Sequence, residues 1–383
     1  MVEARNAIAG SAQRLMHVVT SLHTGGAESM LASLAVAGQD EGQTIQVVSL
    51  IPGGVNYERL VRAGVPVTHL GLSRGQLNPL ALLRLVRLIR RFRPAVVQSW
   101  MYHADLAATF GLALSGRWLR TRLYWGVRCS DMDVTRYSLR LRAVIRLCAW
   151  LSSLPDAVVA NSRAGKIVHE RLGYHPREFL VFDNGIDTGR FRPDAEARQR
   201  VRAQLGIPPD AVLLAQVARV DPMKDYDCFL AALHRLSGVH AIVVGEGTER
   251  LADAPGLLRL GQRRDIPAFF AASDIVVSSS AFGEGFSNAI AEGMACGLPA
   301  VATDVGDTAR IVGDAGIVVA PRDPEALASA IAILARMSPM ERAALGCAAR
   351  RRIVERFSLE RAARRFGALY FPHGLSGPAD MRT

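Results

Sequence analysis

Short apolar runs alternate with stretches of helical periodicity along the whole chain, the pattern of parallel α/β architecture. In the first half, Met16–Thr20, Ile45–Leu50, Val67–His69, Ala95–Gln98, Leu123–Gly126, Ala157–Ala160 and Phe179–Phe182 predict strands. Helical segments such as Ser29–Gly38 and Pro79–Phe92 follow several of them. The pattern restarts with Val212–Ala218, His240–Val244, Leu257–Leu260, Ile275–Ser278, Ala300–Thr303 and Gly316–Val319. Between the halves, "NGIDTGRFRPDAEARQRVRAQLGIPPD" is polar and punctuated by Pro and Gly, and reads as a linker. The expectation is two doubly wound, Rossmann-like α/β domains facing across a cleft, residues 1–189 and 190–357. Residues 358–383 would form a closing helix, packed back on the first domain, and a tail. Such sheets bind ligands at the carboxyl ends of their strands.

The chain has 383 residues, half of them hydrophobic, enough for two ordinary domains with large cores. Charge separates the halves. Up to Arg190 there are 23 Lys and Arg against 13 Asp and Glu; the remainder has 23 against 22. The first half is therefore expected to face something acidic. The five cysteines (Cys129, Cys148, Cys228, Cys296, Cys347) are scattered without metal-ligand spacing, as in a reduced, cytoplasmic protein. The opening "MVEARNAIAGSAQRLMHVVTSL" lacks a signal-peptide layout, and no apolar run reaches the roughly 18 residues of a membrane span. At most a peripheral attachment to the inner face of the membrane is expected.

Candidate chemistry concentrates in the second half. "QVARVDPMKDY" ends a strand with Arg219 and places Lys224 five residues on, two cations that can hold a diphosphate. Both are expected on a rim, where replacement spares the fold. "FGEGFSNAIAEGMACGLPAVATDVG" sets Glu284 before a helix and Glu292 inside it. Gly283, Gly285 and Gly293 permit close backbone approach, and the Phe286–Ser287–Asn288 amides can open the helix toward phosphate. Glu292 could accept two ribose hydroxyls, and Glu284 those of a sugar beyond the phosphates. The implied ligand is a nucleoside diphosphate carrying a sugar. "VVGEGTERL" has Arg250 where a dinucleotide fingerprint needs its third glycine, and reads as a tight turn.

The E-x7-E segment, preceded by "VARVDPMKDY", resembles the donor site of the family 4 retaining glycosyltransferases, whose two-Rossmann-domain fold is called GT-B. "SLHTGGAESML", "QSWMYHADLAA", "VVANS" and "DNGID" are similar to further segments of that family, so the resemblance covers most of the chain. It implies that Arg219 and Lys224 bind the diphosphate, Glu292 the ribose and Glu284 the donor sugar. It further implies that Gly25 and Gly26 pass close to the phosphates and that His103 touches the transferred sugar. UDP is the commonest donor nucleotide of the family. Read without it, His103 is as well explained by a hydrogen bond within the fold.

Asp131-Met132-Asp133 has the D-x-D spacing of a metal site, but a cation pair already meets the diphosphate charge. No metal and no cofactor are expected. Asp131 or Asp133 is read as facing the acceptor or, as the simpler alternative, both are surface partners of Arg128 and Arg136. Excess arginine lies in "NPLALLRLVRLIRRFRP", "GRWLRTRL" and "RYSLRLRAVIRLCAWL". These stretches suit anionic lipid headgroups or a lipid-pyrophosphate acceptor, and none interleaves aromatics as a nucleic-acid motif does. The expected function is therefore a retaining hexosyltransferase acting on a polysaccharide, a lipid-linked oligosaccharide or a cell-envelope acceptor. The alternatives are a nucleotide-sugar 2-epimerase of similar fold and a non-catalytic membrane-surface binding protein.

Overall fold

The computed structural model describes residues 13–23, 25–73, 78–129 and 138–372. The chain divides into two compact units, residues 1–183 with 360–383, and residues 184–359. Each is a parallel sheet covered by helices.

In the first unit the strands are β1 (Arg14–Val19), β2 (Thr44–Ser49), β3 (Val67–His69), β4 (Val96–Trp100), β5 (Arg122–Val127), β6 (Ala157–Ala160) and β7 (Phe179–Val181). Their order is β3-β2-β1-β4-β5-β6-β7. In the second unit β8 (Val212–Val217), β9 (Val239–Val244), β10 (Leu257–Arg259), β11 (Ile275–Ser278), β12 (Ala300–Thr303) and β13 (Gly316–Val319) lie in the order β10-β9-β8-β11-β12-β13. The apolar runs mark these strands to within two residues at each end. They are continuous rather than alternating because helices cover both faces of each sheet. Order reverses between β1 and β4 in one unit and between β8 and β11 in the other, and there neighbouring loops diverge to leave a crevice.

Residues 184–210, read as a linker, are ordered as part of a domain. They belong to the second unit and contain the helix Ala195–Leu205, capped by the Asp194 carboxylate on the Ala197 N–H and ended by Gly206 in the left-handed region. Arg198 and Arg202 of this helix both bind Asp274, at 2.7 and 2.6 Å. In a stretch that reads as a polar linker, Arg202 thus has its carboxylate partner 72 residues away.

The closing helix Leu359–Tyr370 runs back into the first unit. Ala362, Phe366 and Tyr370 join Leu15, Val19, Trp100 and Tyr124 in one apolar cluster. The Tyr370 hydroxyl donates to Gln98 Oε1 (3.1 Å), so its one polar atom is satisfied in the core.

Candidate donor site and its relatives

The second unit's reversal point gathers the residues singled out after β8 and β11. Asp221 organises the first loop. Its Oδ1 accepts from the Met223 N–H (3.0 Å), opening the short turn Pro222–Lys224, and its Oδ2 holds Arg219 Nη2 (3.1 Å). Gly245 lets the loop after β9 lie flat against this one, since a Cβ there would fall 2.0 Å from the Ala218 carbonyl oxygen. The GEG segment is therefore a packing device.

The loop after β11 is pinned to the same place. The Ser279 hydroxyl lies 2.8 Å from the Lys224 carbonyl, and the Ala281 N–H donates to Met223 O (2.8 Å). Lys224 Nζ forms an ion pair with Glu284 Oε1, which also accepts from the Ser280 hydroxyl (3.2 Å). The two side chains are only 17 % and 12 % exposed. Lys224 is thus not the solvated rim cation expected, whereas Arg219 is 54 % exposed. The difference arises because the β11 loop closes over Lys224 and stops short of Arg219.

Gly306 backs this loop. Its φ of +64° is left-handed, and a Cβ would fall 1.9 Å from the Glu284 carbonyl oxygen. Gly306→Ala should therefore cost roughly 2–4 kcal/mol, combining left-handed strain with a backbone clash. Gly42 (φ +82°), with nothing near its would-be Cβ, isolates the backbone part. Gly42→Ala should cost about 1 kcal/mol. Equal urea midpoints for the two variants would refute the close approach.

The helix Asn288–Ala295 follows. Gly293 brings it onto β11, because a Cβ would meet the Val276 side chain at 2.6 Å. Phe286 packs on Phe357 (ring centroids 5.6 Å apart), which leaves the backbone of Gly285, Ser287 and Asn288 to form the helix entrance. Ser287 makes no side-chain cap, so the first-turn amides keep the unmatched N–H groups that suit an anion. Asn184 Nδ2 donates to Asn288 Oδ1 (3.0 Å) and fixes the chain entry beside that turn. The Glu292 carboxylate accepts no hydrogen bond from any described residue. Burial raises its pKa to about 7, against the opposing field of Arg190. An acceptor held this way binds hydroxyl donors well once ionised.

In the first unit, Gly25 and Gly26 follow β1 and His103 follows β4, again at the reversal point. Gly25 is the N-cap of the helix Gly26–Asp40 and, having no side chain, caps nothing. Asn56 Nδ2 donates to His23 O (2.9 Å) in the segment after β1. His103 is exposed on the first turn of the helix Tyr102–Ser115, with its pKa lowered by desolvation. Beneath it Asp105 is fully buried, accepts from the Ser99 hydroxyl (2.6 Å) and has its pKa raised by burial to about 7. Arg128 stacks 4.4 Å over Trp100, and Trp100 Nε1 donates to His17 Nδ1 (3.1 Å), whose pKa burial lowers to about 3. No motif announces these groups. Only the polar interruptions of apolar strands, such as His17 within "RLMHVV", hint at them. Asp131, Asp133 and Arg136 lie outside the described residues. Among the described residues, no three His, Cys, Asp or Glu side chains group to hold a metal ion.

Comparison with known proteins gives the family and the fold. The description "Glycosyltransferase Family 4" matches residues 24–190, and "Glycosyl transferases group 1" matches residues 211–337. The chain belongs to the family 4 glycosyltransferases. It is 33 % identical over 205 residues to "D-inositol 3-phosphate glycosyltransferase 2" of Catenulispora acidiphila, covering 46 % of this chain and 47 % of that one. It is 32 % identical over 222 residues to a D-inositol 3-phosphate glycosyltransferase of Segniliparus rotundus, covering 51 % and 49 %. The chain thus spans about half the length of these curated relatives. Among solved structures it is similar to Anabaena HepE in complex with UDP-glucose, with a TM-score of 0.80 at 22 % identity over 93 % of this chain and 98 % of that one. That likeness shows the GT-B fold.

Proposed function

We propose that this family 4 protein is a retaining hexosyltransferase moving a sugar from a UDP-sugar to a glycan, lipid-linked oligosaccharide or other cell-envelope acceptor. One observation carries the donor half of this reading. Arg219, Lys224 and Glu284 lie on two adjacent loops at the reversal point of one sheet, and the helix that follows supplies an uncapped entrance and Glu292. The name of the UDP-glucose complex of HepE supports a nucleotide-sugar donor.

In this reading the diphosphate sits between the cation pair and the first turn of the helix Asn288–Ala295. Glu292 takes the ribose hydroxyls. On donor entry Lys224 turns from Glu284 to a phosphate oxygen, which frees Glu284 for the sugar. The bond between the anomeric carbon and the diphosphate oxygen breaks, and fixed cations and N–H groups meet the charge that develops. The acceptor oxygen bonds to the same face of that carbon, and its proton passes to the departing diphosphate. Gly25 and Gly26 are the first unit's contribution to the phosphates. His103, kept neutral by its lowered pKa, is the contribution to the sugar. The basic first unit is proposed to meet an anionic membrane surface that carries the acceptor.

Incubation with UDP-, GDP- and ADP-sugars, followed by proton NMR, tests the donor half. UDP should be released slowly, with the freed sugar appearing first in the donor's anomeric configuration. Interconversion of sugar epimers without net transfer would replace this reading with an epimerase, and release of the inverted anomer would refute retention.

A further inference from the structure

The helices Pro79–Phe92, Tyr102–Ser115 and Leu139–Leu151 cover one face of the first unit's sheet. Between Arg59 and Cys129 the chain has a single acidic residue, Asp105, and the helix Leu139–Leu151 has none. Asp105 is buried, so this layer shows solvent no carboxylate of its own.

A helix on a sheet should turn its apolar side inward and its arginines outward. Leu139–Leu151 does not sort itself that way. Ile145, Cys148 and Ala149 point into the core. At 100° per residue, Leu139, Ala143, Arg146, Leu147 and Trp150 share an opposite arc about 100° wide. That arc faces water: Leu139 and Trp150 are each 78 % exposed. Arg140 and Arg142 flank it. On Pro79–Phe92, Leu80 (61 % exposed) and Leu83 likewise share a face with Arg84, Arg87 and Arg91.

We infer that the outward face of Leu139–Leu151 lies in the plane of an anionic bilayer, with Leu139, Leu147 and Trp150 inserted at the headgroup–acyl boundary. This deepens the membrane-surface part of the proposed function and rests on it. The occupant follows from how charge and apolar groups mix. A protein interface segregates an apolar centre from a polar rim, whereas here Arg146 lies inside the exposed apolar stripe and Arg140 and Arg142 flank it. A lipid boundary accepts that mixture, because arginine reaches the phosphates while its stem and the indole stay in the interface. A second copy would set like charge against like. Nucleic acid would leave the exposed leucines and Trp150 wet. Among the described residues no helix is long and apolar enough to cross a membrane, so contact here is in-plane.

The test uses the full chain with vesicles of one-third phosphatidylglycerol in phosphatidylcholine. Trp100 and Trp125 are fully buried and Trp118 half-buried, so Trp150 is the most accessible reporter. Its emission should shift blue on binding and be quenched by brominated lipid, and Trp150→Phe should abolish the quenching while keeping the binding. In about 0.5 M salt, where screening shortens to about 4 Å, part of the parent protein should stay bound. Leu139→Ser/Trp150→Ser should lose that salt-resistant partition about tenfold or more, yet still bind at low salt. It should also release UDP from a UDP-sugar at the parent rate. Complete release of the parent by salt, without quenching, would overturn insertion and leave a charge-only surface. No binding at low salt would overturn the membrane reading itself. A vesicle-free dimer broken by the same substitutions would assign the face to a second copy.

Discussion

Lys224→Ala is expected to lower turnover by a few hundredfold and to destabilise the second unit, whereas Arg219→Ala should lower turnover and leave stability unchanged. Each cation removed forfeits about 2–4 kcal/mol of leaving-group stabilisation, by analogy with losing one oxyanion donor. The stability terms differ because the partners differ. Arg219 is exposed, and its bond to Asp221 is a surface pair worth little. Lys224 and Glu284 are largely shielded, and deleting the lysine removes the cation that faces the Glu284 carboxylate. Breaking a buried pair from one side costs roughly 3–5 kcal/mol, which partial exposure reduces to about 2–4 here. Lys224→Met/Glu284→Gln should therefore regain most of the stability and none of the activity. Urea denaturation beside initial rates checks both halves. A Lys224→Ala variant as stable as Arg219→Ala would show that the ion pair is not shielded in solution. Near-parental turnover in either would remove the diphosphate role.

Glu292→Gln should make the protein more stable at pH 8 while weakening its hold on UDP about tenfold. The folded-state pKa, about 7, lies above the ordinary carboxylate value of 4.5, because burial disfavours the charged form. The stability that protonation supplies is fully present below about pH 4.5. It is lost as pH rises through about 7, to at most about 3 kcal/mol. Glutamine stays neutral and escapes that loss, so the two proteins should match near pH 4, separate progressively above about pH 4.5 and keep a constant difference above about pH 7. The same ionisation serves binding, since a carboxylate accepts ribose hydroxyls more strongly than an amide. UDP affinity should therefore rise through about pH 7 in the parent and stay flat in the variant. A variant less stable than the parent at pH 8, or one with parental UDP affinity, would contradict this assignment.

Local signals in the sequence carried the strands, because a doubly covered parallel strand must be apolar throughout. They also carried the candidate loops after β8 and β11, since glycine spacing around Glu284 and Glu292 is visible in the chain itself. Long-range partners were not legible. Arg198 and Arg202 lie in a stretch that reads as a polar linker, because their partner Asp274 is far along the chain. Lys224 and Arg219 looked equivalent because only the fold decides which of them the β11 loop covers. Likewise "RYSLRLRAVIRLCAWL" carries its arginines openly, but periodicity alone does not say that Trp150 and Leu139 face water.

The most direct measurement is a calorimetric comparison of UDP with UMP, in the parent and in Arg219→Ala/Lys224→Ala. If the cation pair and helix entrance hold a diphosphate, the parent should bind UDP at least about tenfold more tightly than UMP, and that preference should collapse in the double variant while UMP affinity barely moves. Equal affinity for UDP and UMP in the parent, or a preference that survives loss of both cations, would contradict a donor site at this reversal point.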